Sequence, residues 1–258
     1  KPLKMAYNYL KPDDIKGKAV LLRVDLNEQV DERGQLLDNF RVLSIVSTVE
    51  MLRENGAKVI ILSHAGRPEG KWNDDMSLRP MANCLAELIN VKFVETIDEE
   101  LSYPIDHLVF VKGDITKPEV QSAVKAMQAK DIVMLENLRF YPGEEANDEK
   151  FAKTLASLGD VYVDDAFAVA HHPAASNVAI TKCMPSFVGP SLEKEIKNLA
   201  YITTKSQSPF VLMMGGLKIS DKEKELSNLE NRMKSDKMKL SLAQKGMTTS
   251  VDSSNTEG

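Results

Sequence analysis

Six stretches of the chain are continuous in apolar residues, and the segments between them are not. "KAVLLRVDL" (18–26), "AKVIIL" (57–62), "VKFV" (91–94), "DIVML" (131–135), "DVYV" (160–163) and "FVLMM" (210–214) carry apolar side chains at successive rather than alternate positions. That is the form of strands covered on both faces. Between the first two, "NFRVLSIVSTVEMLRENG" (39–56) places Val42, Ile45, Val46, Val49 and Leu52 on one helical face and stops at Gly56, a glycine suited to end a helix. "SLRPMANCLAELI" (77–89), "KPEVQSAVKAMQ" (117–128) and "NDEKFAKTLASLG" (147–159) repeat the scheme, and "GPSLEKEIKNLAYITTK" (189–205) adds a helix before the last strand. The alternation predicts an α/β fold: a doubly wound, mostly parallel, Rossmann-like sheet with helices on both faces and ligands beyond the carboxyl ends of its strands.

Those ends carry a pattern. Asp25 and Asn27 follow the first run, and Arg41 opens the helix beyond the next loop. His64, Gly66 and Arg67 lie in "SHAGRP" after the second run, Arg139 in "ENLRFYPGEE" after the fourth, and Asp165, His171 and His172 in "DDAFAVAHHPAAS" after the fifth. Charge sharpens the meaning of these positions. The formal net charge is −5, and no basic stripe offsets it, which argues against general nucleic-acid binding. Any one arginine could simply pair with a surface glutamate. Three at the same end of the sheet, Arg41, Arg67 and Arg139, form a phosphate or carboxylate pocket, because guanidinium forks match those anions and helix N-termini add amide donors. His64 and His172 read as anion contacts. His171 and His172, adjacent in an extended segment, face opposite sides with no third ligand near, so a metal site is not expected. His107 reads as a surface or packing residue, and Trp72 and the methionines as packing.

The 258 residues, 43% hydrophobic and 28% charged, are ordinary for a soluble globular protein. No apolar run is long enough to span a bilayer, and the N-terminus has no apolar signal core, so a cytoplasmic protein without a membrane partner is expected. Cys84 and Cys183 stand far apart with no metal-binding spacing, and reduced, structural thiols are expected. GxGxxG, GxSxG, GxxxxGK[ST] and HExxH are absent, which removes the usual support for dinucleotide, hydrolase, P-loop and zincin readings. A reaction between groups already ionised needs none of them. Carboxylates titrate near ~4, so such a nucleophile requires no general base at neutral pH, only charge neutralisation and alignment. Phosphoryl transfer is catalysed mainly by those two effects. "PFVLMMGGLKISDK" (209–222) fits that chemistry, since an apolar strand runs into Gly215 and Gly216 and then presents Lys218 and Lys222 as an anion-holding loop would. Alone, it reads better as two solvated lysines after a tight turn.

"LLRVDLN", "SHAGRPEG", "LENLRFYPGEE", "VYVDDAFAVAH" and "GGLKISDK" occur in that order and spacing, and together they resemble phosphoglycerate kinase from the start of the chain through about residue 222. The resemblance implies a phosphoglycerate-binding domain over residues 1–188, a hinge helix over 189–206, and the start of a nucleotide-binding domain over 207–258. It implies a monomeric glycolytic enzyme that transfers a phosphoryl group between 1,3-bisphosphoglycerate and ADP, giving 3-phosphoglycerate and ATP with Mg2+. Asp25, Asn27, Arg41, His64, Arg67, Arg139 and His172 match substrate-binding positions. Arg41 and Lys218 match catalytic positions, and Gly215, Gly216, Lys218 and Lys222 match those that hold nucleotide phosphates. The chain departs from the family pattern at Ala168 (Gly in the family), His172 (Arg) and Asp164 (Asn). Its tail, "EKELSNLENRMKSDKMKLSLAQKGMTTSVDSSNTEG", lacks the family's further strand–helix units and acidic magnesium ligand. The expectation is a chain that alone binds 3-phosphoglycerate and turns over poorly; a non-catalytic phosphoglycerate-binding module is the alternative. An unrelated oxidoreductase is disfavoured by the missing dinucleotide fingerprint.

Overall fold

The structure, a computed structural model, describes residues 7–96, 107–125 and 127–205. Within them, seven strands form one sheet in which every neighbouring pair runs parallel. The strands are β1 (Ala19–Arg23), β2 (Lys58–Leu62), β3 (Lys92–Thr96), β4 (His107–Val111), β5 (Ile132–Leu135), β6 (Val161–Asp164) and β7 (Ser186–Val188), in the order β3-β4-β5-β2-β1-β6-β7. The helices are α1 (Pro12–Ile15), α2 (Phe40–Glu54), α3 (Arg79–Leu88), α4 (Pro118–Lys125), α5 (Pro142–Glu145), α6 (Glu149–Ala156) and α7 (Pro190–Lys205). The chain divides between Lys205 and Ser206 into two units, and all described residues belong to the first. The strand expected at 210–214, with Gly215, Gly216, Lys218 and Lys222, lies outside the described residues.

The continuous apolar runs follow from burial on two sides. Val20 and Leu22 of β1 and Val59 and Ile61 of β2 pack with Ile45 and Val49 of α2 and Leu85 of α3, whereas Leu21, Ile60 and Leu62 turn to Val124 of α4 and Leu155 of α6. Successive strand residues point to opposite faces, so covering both faces requires apolar residues at every position. From β1 the chain moves outward to β2 and β3, then returns through β4 and β5 and crosses to β6 and β7. The helices of the outward steps, α2 and α3, cover one face, and α4 and α6 of the return steps cover the other, as crossovers of a single hand require. Connections therefore leave to opposite faces at two adjacent pairs, β2/β5 and β1/β6, which opens crevices at the carboxyl edge.

Two strands add to the sequence expectation. β4, "HLVFV", is a legible apolar run that the sequence expectation did not count among the strands. β7 has three residues at a sheet edge, too few to establish a period. His107 opens β4. Trp72 is a partial exception to packing: it lies on Phe140 with ring centroids 4.8 Å apart but remains 46% exposed. Both cysteines are free thiols. No helix among the described residues is long and apolar enough to cross a membrane.

Candidate functional site

The exits of β1 and β2 are stitched together by Ser63, whose hydroxyl donates to the Val24 carbonyl (2.9 Å) and accepts from the Leu26 amide (3.0 Å). Just beyond, Asp25 accepts from the Asn27 amide (3.1 Å), a local turn that short Asp side chains favour. The Asn27 side-chain oxygen accepts from the Gly66 amide (2.8 Å), and Arg139 Nη1 donates to the Gly66 carbonyl (2.7 Å). One residue thus gathers the exits of β1, β2 and β5. Gly66 sits at φ +60°, a left-handed conformation that favours glycine, and the nearest atom to a Cβ there would be Met76 Sδ at 2.8 Å, on a flexible side chain that can shift aside.

Glu136 and Asn137 hold this arrangement from below. Glu136 is fully buried and accepts from the Leu78 amide (2.8 Å), the Asn137 amide (2.8 Å) and the Ser77 hydroxyl (2.7 Å). Burial pushes its carboxyl up, against the pull of these three donors. Asn137 donates to the Ala65 (2.7 Å) and Met76 (2.8 Å) carbonyls and accepts from the Arg139 amide (3.0 Å). Together they pin the loop after β2 to the exit of β5.

Each sequence-predicted cation has a different state. Arg41, in the first turn of α2, pairs through Nη1 with Asp25; its Nε is 3.8 Å from Glu28, which also accepts its backbone amide. Burial pushes the Glu28 carboxyl up, and the Asp38 charge adds to this while Arg41 opposes it. Arg139 Nε lies 3.3 Å from Glu145, and burial, with Arg23 and Arg67 nearby, lowers its guanidinium from the usual value. Arg67 is exposed and, among the described residues, makes no ion pair or hydrogen bond. His64 is 2% exposed and receives a hydrogen bond at Nδ1 from Arg23 Nη2 (3.1 Å).

His172 lies in a turn rather than the extended segment expected from sequence: a 3-10 turn spans Phe167–Val169, and the His172 amide donates to the Val169 carbonyl (2.9 Å). His171 is nevertheless exposed and His172 half-buried, with its Nδ1 buried and unpartnered among the described residues. The charges of Arg23, Arg139, His172 and Arg41 all bear on His64, so these groups share one neighbourhood. Asp165 stands apart from it. Its carboxylate accepts from the Thr48 hydroxyl of α2 (2.7 Å) and from the Ser191 (2.7 Å) and Leu192 (3.0 Å) amides that open α7, a helix-capping role.

Sequence reasoning missed the buried support beneath the pocket. Arg23, 2% exposed, donates from Nε to the Ser176 hydroxyl (2.9 Å) and from Nη1 to the Val24 carbonyl. The Ser176 hydroxyl (2.6 Å) and amide (3.0 Å) both donate to Glu144. The available signal was a lone arginine inside the apolar run "LLRVDL", since a charge on a doubly covered strand must be matched from within. Among the described residues no cluster of His, Cys, Asp or Glu could hold a metal ion.

The state of His64 has a measurable consequence. Burial, followed by the Arg23, Arg139, His172 and Arg41 charges, lowers it from 6.5 to about 2. Below 6.5 the unfolded chain therefore takes up a proton that the folded chain refuses. This contribution leaves stability undiminished above pH 6.5 and erodes it on acidification by about 1.4 kcal/mol per pH unit. Glu28, Glu136 and Asp164, whose folded values are raised, act with the opposite sign nearer their ordinary carboxylate range. Urea unfolding as pH falls from 6.5 should follow the His64 slope, and His64→Asn should flatten it. A wild type equally stable across that interval would show that His64 ionises freely in the fold.

A family model described as "Phosphoglycerate kinase" matches residues 10–241. Similar curated proteins include the phosphoglycerate kinase of Chlorobium limicola, 42% identical over 220 residues covering 85% of this chain and 51% of that protein. The phosphoglycerate kinase of Coprothermobacter proteolyticus is 39% identical over 225 residues, 87% of this chain and 53% of its own. Among solved structures, the Pyrococcus horikoshii phosphoglycerate kinase superposes with a TM-score of 0.70 at 29% identity, covering 85% of this chain and 52% of that one. The Coxiella burnetii phosphoglycerate kinase superposes with a TM-score of 0.68 at 30% identity, covering 86% and 52%. The chain spans about half the length of the curated relatives it matches. A parallel sheet with this gathering of basic groups at its carboxyl edge and a family match over most of its length identify the chain as a member of the phosphoglycerate kinase family.

Proposed function

We propose that the carboxyl edge of the sheet binds 3-phosphoglycerate and its acyl phosphate, 1,3-bisphosphoglycerate, as the phosphoglycerate half of a kinase. The observation that carries this reading is Gly66 held between Asn27 and Arg139, which places the uncommitted Arg67 next in sequence. Asp25, Asn27, Arg41, His64, Arg67, Arg139 and His172 are the proposed substrate contacts. In the reaction an ADP β-phosphate oxygen attacks the acyl phosphate, the P–O bond to the acyl oxygen breaks, and 3-phosphoglycerate leaves as a carboxylate. That leaving group needs no proton at neutral pH. The demand falls on charge, and Arg41 is proposed to exchange Asp25 and Glu28 for oxygens of the phosphoryl group.

Nucleotide and magnesium are implied by the family, and Mg2+ supplies charge neutralisation when bound. The described residues gather no ligand set for it. Gly215, Gly216, Lys218 and Lys222, proposed to hold the nucleotide, with Lys218 also catalytic, lie outside the described residues. Calorimetric titration with 3-phosphoglycerate, and with NAD as the control, tests the binding reading. Heat of binding from NAD alone would overturn it. Because the chain spans about half the length of its relatives, the 258-residue polypeptide alone is expected to bind 3-phosphoglycerate yet give only trace transfer to ADP. A coupled assay returning about 1–100 turnovers per second would overturn that expectation of poor turnover.

His172 stands where the family pattern has an arginine, and a guanidinium offers a phosphate a fixed charge in a bidentate fork. His172→Arg should therefore bind 3-phosphoglycerate more tightly than wild type in calorimetric titration. Equal affinity of the two chains would remove His172 from the phosphate.

A further inference from the structure

We propose that Arg23 is a positioning residue which, through its hydrogen bond to Nδ1, holds His64 as the neutral imidazole with its proton on Nε2. The inference deepens the pocket reading above and rests on it for its purpose, although its geometry stands independently of any ligand.

A guanidinium has five N–H donors and no acceptor. The 3.1 Å contact from Arg23 Nη2 to His64 Nδ1 therefore requires a lone pair on Nδ1. Both the Nδ1–H tautomer and the imidazolium would set a hydrogen against a hydrogen there, which leaves Nε2 as the protonated nitrogen. Arg23 cannot readily turn away. Its Nε is held by the Ser176 hydroxyl at 2.9 Å, its Nη1 by the Val24 carbonyl, and Ser176 is fixed in turn by two hydrogen bonds to the buried Glu144. The side chain ends β1, and its Nε, Nη1 and Nη2 are each bonded within the protein, to Ser176, Val24 and His64, so it acts on a ligand through His64 and not by touch.

The surroundings point the same way. The charged groups bearing on His64 from its neighbouring elements are Arg23 at the end of β1, Arg41 in α2, Arg139 after β5 and His172 after β6. All are cations or potential cations, and each disfavours a further proton on the ring. A histidine free to titrate would change the pocket's charge as pH fell; one locked in this tautomer supplies a constant donor. His64 then contributes the direction of one hydrogen bond. Arg23 thus tunes a side chain that meets the substrate without meeting it.

The test is long-range 1H–15N correlation spectroscopy on the full chain labelled with 15N-histidine, without ligand, with resonances assigned through His64→Asn. The wild-type His64 signal should show one protonated nitrogen, Nε2, and one unprotonated nitrogen, Nδ1, unchanged on acidification through the ordinary imidazole range. An Nδ1–H tautomer or an imidazolium at neutral pH would overturn the proposal. Arg23→Met removes the donor and should produce mixed tautomers, with 3-phosphoglycerate affinity lowered about tenfold. A folded Arg23→Met chain that keeps pure Nε2–H would overturn the role of Arg23. Ser176→Ala guards against failure of that variant to fold: it frees Nε while retaining the guanidinium, and should broaden or mix the His64 signals, whereas an unchanged spectrum counts against the lock. Calorimetry with 3-phosphoglycerate separates the two readings. Wild-type binding with the wrong tautomer overturns this inference alone, and the assigned tautomer with no binding overturns the pocket reading and, with it, the purpose given to the lock.

Discussion

Arg67→Ala should weaken 3-phosphoglycerate binding roughly ten- to more than a hundredfold, the equivalent of losing one charge-assisted hydrogen-bonding partner worth about 1.5–3 kcal/mol. Arg67 is the sharpest probe among the three arginines because the others already have partners. Arg41 is held by Asp25 and Glu28, and Arg139 by Glu145 and the Gly66 carbonyl, so truncating either would disturb the fold as well as the ligand. Arg67 is exposed and, among the described residues, makes no ion pair or hydrogen bond. Its removal should leave the unfolding midpoint within about 0.5 kcal/mol of wild type. Arg67→Lys should fall between the two, because a lysine restores charge without the planar fork. Calorimetry at fixed low salt measures all three. A dissociation constant unmoved by Arg67→Ala would place the anion elsewhere.

Glu144→Ala should lower the unfolding free energy by about 3–5 kcal/mol, the cost of leaving a buried charge without its counter-group. For a unit of this size that corresponds to about 6–20 °C in Tm. Glu144 is 1% exposed and accepts the Ser176 hydroxyl and amide, while the same hydroxyl accepts from Arg23 Nε. A relay thus joins a buried cation to a buried anion through one serine, and deleting the anion strands the rest. Glu149→Ala is the matched control. Its pair with Lys182 spans 3.7 Å between side chains that are both about two-thirds exposed, and such surface pairs contribute little. If thermal melts found Glu144→Ala as stable as Glu149→Ala, the relay would not compensate the Arg23 charge.

These two residues also mark what could be read from sequence and what could not. The strands covered on both faces, β1, β2, β5 and β6, were legible because double burial forces unbroken apolar runs. The arginines were legible because position after a strand fixes an edge of the sheet. β7 was not, since three edge residues carry no period. Nor was the relay: nothing along the chain ties Arg23 to Glu144 or Ser176, which meet only once the β1/β6 crevice has formed. Asp165 misled for a related reason. It follows a strand like the pocket residues do, but the start of α7 lies closer to hand and takes its carboxylate. The preference for glycine at position 66 likewise comes from its left-handed φ, a property of the folded loop.

The chain contains one tryptophan, and the fold has put it beside the pocket. Trp72 packs at a tilt against Phe140, the neighbour of Arg139, and its indole N–H is tied to Asp74 at 3.1 Å. Light emitted by this protein under tryptophan excitation therefore comes from a single location, half open to solvent and one residue removed from a proposed ligand contact. The molecule carries its own optical gauge: ligand binding at the proposed contacts is expected to shift emission colour or intensity in unlabelled protein, at concentrations far below those calorimetry demands.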